Sequence, residues 1–138
     1  NQKFEIGEGI KLTEGNDVTI VATGHLVWES IEAAKILNES GITTEVINIH
    51  TIKPLDKKII LDSVKKTRCI VSAEEHNFLG GLGESISRVL AKNLPLPQEF
   101  VATNDTFGES GTPAELMEKY GLNADSIVEK VKKVIARK

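Results

Sequence analysis

Short apolar runs rich in β-branched residues alternate along this chain with longer stretches of helical periodicity, and this alternation restricts the fold more than any other feature. Val18–Thr23 and Thr43–Ile49 are the first two such runs, and each indicates a strand buried on both faces. Between them, apolar residues recur at helical spacing up to Gly41, a favoured residue after a helix. A strand, a helix and a second strand in this order predict a βαβ unit with parallel strands.

Two further apolar runs, Arg68–Ala73 and Glu99–Ala102, add a third strand and a fourth, which we place at a sheet edge. Strands that alternate with helices form a parallel or mostly parallel sheet covered on both faces, so we expect a three-layer α/β fold. A length of 138 residues suits one domain. We assign residues 18–138 to that domain and residues 1–17 to a lead-in segment or interdomain linker, which ends in the turn signal Glu14–Asp17.

Capping residues mark three of the predicted helix starts. Asp56 and Asn123 are favoured N-cap residues and directly precede stretches of helical periodicity. Thr112, Pro113 and Glu115 combine an N-cap threonine, a proline at the first helical position and a glutamate at the third. We therefore expect one helix after each of these three positions.

Composition excludes several functional classes. A net charge of -3 argues against a nucleic-acid binder that neutralises phosphates. One cysteine rules out an internal disulfide and a cysteine-based zinc site, and it fits a reducing, cytoplasmic compartment. No apolar run approaches the roughly 18 residues that a membrane span needs, and no leader of signal-peptide type is visible. We expect neither a nucleic-acid nor a membrane partner.

The stretch Arg68–Arg88 is where we expect the function to lie. The apolar run in it ends in the polar residues Glu74–His76, a glycine cluster follows, and a helix is predicted over Gly83–Asn93. In open α/β sheets, ligands and partners meet the domain at the carboxyl ends of strands. One interpretation is a tight structural loop. The other is an interface, or an anion site built from backbone N–H groups, and its residues would be Glu75, His76, Gly80, Gly81 and Gly83.

Other binding and catalytic interpretations of the same residues are weaker. A dinucleotide-binding fingerprint would require glycine where Ile86 stands, and it belongs after the first strand of such a fold. Glu74, Glu75 and His76 are consecutive, so their side chains should alternate in direction rather than converge on a metal ion. His25 and His50 each follow a strand, but neither lies near an evident partner in the sequence. We assign no catalytic, cofactor-binding or metal-binding residue.

Four sequence blocks nevertheless resemble one known family. Asp17–Gly24 resembles the first strand of the transketolase C-terminal domain, and Val46–Asp56 resembles a strand and the Ile-Lys-Pro-Leu-Asp connector of that family. Glu74–Glu84 is similar to its acidic turn and glycine loop, and Ser110–Leu122 to its last block. The blocks occur in the family's order and cover almost the whole chain. Together they are specific for the transketolase superfamily.

The resemblance implies a five-stranded mixed sheet, mostly parallel, with one antiparallel strand. Enzymes of this family use thiamine diphosphate and Mg2+, held by a diphosphate-binding and a pyrimidine-binding domain, to move a two-carbon ketol unit between sugar phosphates. Neither of those domains resembles this chain, so no family catalytic residue transfers to it.

The resemblance further implies an assembly domain of a homodimer that binds no cofactor and is inactive alone. The corresponding domains of 1-deoxyxylulose-5-phosphate synthase and of the 2-oxo acid dehydrogenase E1 β subunit are alternatives. A module that binds a phosphorylated ligand on the Gly80–Gly83 loop is another.

Overall fold

The computed structural model describes residues 8–50, 54–75, 81–102 and 123–138. These ranges contain five strands and four helices. In chain order they are β1 (Ile10–Lys11), β2 (Val18–Ala22), α1 (Leu26–Glu39), β3 (Thr44–Asn48), α2 (Lys57–Thr67), β4 (Ile70–Ala73), α3 (Leu82–Asn93), β5 (Gln98–Val101) and α4 (Ala124–Ala136).

The five strands form one sheet in the order β1-β3-β2-β4-β5. β1 is antiparallel to β3, and the other neighbouring strands are parallel, with Ile20 of β2 opposite Val46 of β3 and Val71 of β4. The expected mixed sheet with one antiparallel strand is therefore confirmed. The antiparallel strand is β1, which belongs to the segment 1–17 that precedes the first βαβ unit.

Two hydrophobic cores lie on opposite faces of the sheet. Because successive side chains of a strand point to opposite faces, Ile20 packs with α1 and α4, whereas its neighbour Val21 packs with α2 and α3. All five residues of β2 are buried. This two-sided burial explains why the strand is a continuous apolar run rather than an alternating one.

Local capping sets the helix ends as the sequence indicates. The Asp56 carboxylate accepts a hydrogen bond from the Ile59 N–H at 3.2 Å, and the Asn123 side chain accepts one from the Ser126 N–H at 2.9 Å. Gly41 follows α1 with a φ of 82°, a left-handed conformation that suits glycine. The helix expected after Thr112 lies outside the described residues.

A buried glutamate on β3 joins three parts of the structure. The Glu45 side chain is only 3% exposed, and it lies 2.5 Å from the Lys66 ammonium of α2. It also accepts a hydrogen bond from the Gly15 N–H at 3.3 Å. Burial alone would raise the pKa of Glu45, but the hydrogen bonds and the charge of Lys66 outweigh burial and lower it. Glu45 therefore stays charged and ties the turn before β2 to α2.

Acid should weaken this connection. Because the pKa of Glu45 is lower in the folded than in the unfolded chain, its stabilising effect is complete above about pH 5 and is lost as the pH falls through the folded-state pKa. We expect Glu45→Gln to lower the free energy of unfolding at pH 7 by about 1–3 kcal/mol. Below pH 5, the free energy of unfolding of Glu45→Gln should depend less on pH than that of the unmodified chain. Some dependence should remain, since the hydrogen bond from the Thr43 N–H also lowers the pKa of Asp17.

Urea denaturation between about pH 3 and pH 7 measures both effects. Glu32→Gln is the control, because it removes only an exposed pair with Lys35 and should change the free energy of unfolding by less than about 0.5 kcal/mol. An acid dependence identical in Glu45→Gln and the unmodified chain would contradict the assigned role of Glu45.

Candidate functional site

The carboxyl ends of β2 and β4 form the point at which the chain connections diverge. β2 continues through α1 to β3 on one side, whereas β4 continues through α3 to β5 on the other. Ligands and partners of open α/β sheets bind in the crevice at such a switch point. Thr23–His25 follow β2 and Glu74–Glu75 follow β4, so these residues meet at this edge.

Glu74 is used to hold the start of α3. Glu74 is only 5% exposed. Its two carboxylate oxygens accept hydrogen bonds from the Leu82 N–H at 3.0 Å and the Gly83 N–H at 2.6 Å. These N–H groups lie in the first turn of α3, where they have no acceptor within the helix. The carboxylate also complements the positive end of the helix dipole. Glu74 therefore fastens α3 to the end of β4.

Glu75 holds the start of α1 on the other face of the sheet in the same way. Its Oε1 accepts a hydrogen bond from the His25 N–H at 3.1 Å, directly before α1. Gly24 lies beside this oxygen in a left-handed conformation, with a φ of 58°. A Cβ added at Gly24 would lie 3.2 Å from Glu75 Oε1. The two adjacent glutamates thus hold the starts of two helices on opposite faces, as the alternation of strand side chains requires.

Gly83 is required by packing. A Cβ at this position would lie 2.6 Å from the Phe100 ring and 3.0 Å from the Ser72 hydroxyl. The Gly83 carbonyl accepts hydrogen bonds from the Ser87 hydroxyl at 2.9 Å and from the Gln98 amide at 3.0 Å. These contacts press the first turn of α3 against β4 and β5, so a larger residue would separate them.

The structure describes three of the five residues expected at an interface or anion site. Glu75 lies at the switch point beside α1, whereas Gly81 and Gly83 are buried at the start of α3. His76 and Gly80 lie outside the described residues. Because the amides of Leu82 and Gly83 already donate to Glu74, they are engaged within the chain. These two amides are therefore not available to an anion.

The first turn of α1 carries an exposed tryptophan that was not among the residues predicted from the sequence. The Trp28 side chain belongs to a residue that is 71% exposed, and the backbone N–H of Trp28 donates to the His25 carbonyl at 3.2 Å. Tryptophan is enriched among the residues that dominate binding at protein interfaces. A signal was present, because Trp28 falls outside the apolar stripe that packs α1 onto the sheet. We call Gly24, His25, Trp28 and Glu75 the switch-point surface.

The remaining candidate residues form no reactive cluster in the described ranges. His25 and His50 are exposed, and Cys69 is fully buried. Burial raises the pKa of the Cys69 thiol. Among the described residues, no three histidine, cysteine, aspartate or glutamate side chains are placed to hold a metal ion. The helices of these same ranges are too short or too polar to cross a membrane.

Comparison with known families identifies the family to which the chain belongs. Residues 7–127 match the family described as transketolase, C-terminal domain. The chain belongs to this family. The match includes every strand, α1 to α3 and the switch-point surface.

Three relatives illustrate the range of the family. The 6-deoxy-6-sulfo-D-fructose transketolase subunit SqwH of Clostridium sp. (strain MSTE9) is 44% identical over 100% of this chain and 43% of its own length. A solved structure, a split gene transketolase described as an inactive beta4 tetramer, has a TM-score of 0.92 and 44% identity over 98% of this chain and 44% of its own. The 1-deoxy-D-xylulose-5-phosphate synthase 1 of Geobacter sulfurreducens is 36% identical over 99% of this chain and 22% of its length. The chain thus spans less than half of each relative.

Removing the charge of Glu74 should loosen the start of α3. We expect Glu74→Gln to lower the free energy of unfolding by about 1–3 kcal/mol, because a buried charged acceptor of two N–H groups is lost. Amide hydrogen exchange at Leu82 and Gly83 should accelerate. Glu129→Gln, on the exposed surface of α4, is the matched control and should change neither quantity. Unchanged exchange at both amides would disprove the assigned role of Glu74.

Proposed function

We propose that this chain is the C-terminal assembly domain of a transketolase-type enzyme, which transfers a two-carbon ketol unit between sugar phosphates. Family membership supports the enzyme class, but a fold alone does not define a function. The observation that carries the proposal concerns the carboxylates of Glu74 and Glu75. Both accept hydrogen bonds from backbone N–H groups at helix starts, and both lie at the sheet edge that the exposed Trp28 adjoins. Such an edge is suited to packing against another domain rather than to chemistry.

The described residues do not fit the cofactor of this enzyme class. A diphosphate would need free helix-terminal amides, and those of α3 that Glu74 engages are occupied. Among the described residues, no three histidine, cysteine, aspartate or glutamate side chains are placed to hold a divalent ion by themselves. In this proposal, thiamine diphosphate and Mg2+ are held by the pyrimidine- and diphosphate-binding domains, which are the partners of this chain.

We further propose that the natural protein is one subunit of a split transketolase and forms a homodimer or higher assembly in the cytoplasm. The match to this chain covers 43–44% of the length of the SqwH subunit and of the split gene transketolase, but only 22% of the synthase. Its identity is also higher with the first two, at 44% against 36%. These values favour the subunit arrangement over the C-terminal domain of a 1-deoxyxylulose-5-phosphate synthase.

Alone, the chain should be inactive. Purified chain mixed with ribose 5-phosphate, xylulose 5-phosphate, thiamine diphosphate and Mg2+ should give no turnover in a coupled assay. Adding the separately produced pyrimidine- and diphosphate-binding domains should give turnover. Robust activity of the chain by itself would contradict an assembly role.

Covering of Trp28 by a partner domain can be observed directly. Trp28 is the one tryptophan of the chain, so 5-fluorotryptophan labelling gives a single 19F resonance. We expect this resonance to move when the unlabelled partner domains are added, because the indole leaves water. Trp28→Ala should weaken association by about tenfold or more, the effect of an interface hot spot.

Ile36→Ala is the control for this experiment, because Ile36 is an exposed apolar residue of the same helix, 41% exposed and far along it from the switch-point surface. It should change the affinity by less than about threefold. A fluorine resonance that stays in place while the domains associate would show that the interface lies elsewhere.

A further inference from the structure

A second surface of the domain has the properties of a ligand site. The start of α2 and one side of α3 form an open cleft of about 370 Å³, within the size range of small-molecule sites. Lys57, Arg88 and Lys92 line it, with Leu55 and Val89 as apolar wall residues. The cleft lies on the α2–α3 face of the sheet, whereas Trp28 lies on α1 on the opposite face.

The three cations of this cleft differ from most others in the domain. Elsewhere in the described ranges, Lys58 pairs with Asp62 at 2.7 Å, and Lys66 pairs with Glu45 at 2.5 Å. Within those ranges, no carboxylate forms an ion pair with a cation of the cleft. A chain with a net charge of -3 thus places three cations at one concave site, and none of them has an ion-pair partner among the described residues.

Two acids, Asp56 and Glu84, stand next to lining residues of this cleft in the sequence, and both make contacts of their own. Asp56 directly precedes Lys57, but its two oxygens accept hydrogen bonds from the Ile59 N–H at 3.2 Å and the Gly9 N–H at 2.8 Å. On α3, Arg88 and Lys92 are one turn apart and therefore project from the same side of the helix. The cations of two neighbouring helices can consequently act on one anionic group.

We propose that this cleft binds a small molecule that carries a phosphate group on a hydroxyl-bearing body. Three cations complement a phosphate dianion, and charge-assisted hydrogen bonds to phosphate are strong. The volume of about 370 Å³ is larger than an inorganic phosphate ion requires. Asn93 at the same cleft can accept a hydrogen bond from a ligand hydroxyl through its side-chain oxygen, since its amide nitrogen donates to the Val89 carbonyl at 2.8 Å, and Leu55 and Val89 pack against carbon atoms.

This site is distinct from the glycine loop of the sequence analysis. The amides of Leu82 and Gly83 at the start of α3 donate to Glu74. Arg88 and Lys92, by contrast, lie in the middle and the last turn of the helix. The phosphate group therefore binds along the side of α3.

Titration of the 15N-labelled chain with glucose 6-phosphate tests the proposal. We expect saturable chemical-shift changes at Lys57, Arg88 and Lys92, none with glucose, and weaker binding of inorganic phosphate. The double variant Arg88→Gln/Lys92→Gln should lower the affinity by about tenfold or more, since charged hydrogen bonds are lost. Lys65→Gln should leave it unchanged, because Lys65 is an exposed cation of α2 outside the cleft.

Several outcomes would overturn the assignment. They are shift changes that never saturate, equal losses of affinity in Lys65→Gln and the double variant, and changes centred on the Gly81–Gly83 amides. Equal affinities for inorganic phosphate and glucose 6-phosphate would contradict the proposal that the ligand carries a hydroxyl-bearing body beside its phosphate. Because Arg88 and Lys92 are exposed, both variants should keep the thermal midpoint of the unmodified chain, which verifies that they fold.

Discussion

Two adjacent carboxylates at the end of β4 hold the starts of two helices that cover opposite faces of the sheet. Glu74 accepts from the first turn of α3, and Glu75 accepts from the residue before α1. The cause is elementary, since neighbouring side chains of a strand point in opposite directions and each carboxylate meets the positive end of a helix. The shape of the switch-point surface follows from these contacts, including the position from which Trp28 projects.

Features of the fold that depend on neighbouring residues could be predicted from the sequence. Asp56 and Asn123 cap helices because a short side chain reaches an N–H three residues ahead, a contact that the sequence alone implies. The same holds for β2, whose uninterrupted apolar run reflects burial on both faces. β1 depends less on neighbouring residues, because a strand of two residues is stabilised by its antiparallel partner rather than by its own propensity.

Contacts between distant parts of the chain could not be predicted. The basic residues at the end of α4 resemble a solvated helix face in the sequence, yet Lys130, Lys133 and Arg137 surround Glu99 of β5. The alternation of side chains correctly implied that Glu74 and Glu75 diverge. It did not reveal which helix each would reach, because that depends on the order of strands in the sheet.

The free-energy change on removal from water differs between the switch-point surface and the cleft. Burying an exposed indole such as Trp28 under a partner domain is favourable, because apolar area leaves water. Burying Lys57, Arg88 and Lys92 without carboxylate partners would cost several kcal/mol per charge. A partner domain should therefore cover the switch-point surface and leave the cleft in contact with water. In the proposed assembly the cleft would then stay open to a small anionic ligand, because the proposed docking surface and the cleft lie on opposite faces of the same sheet.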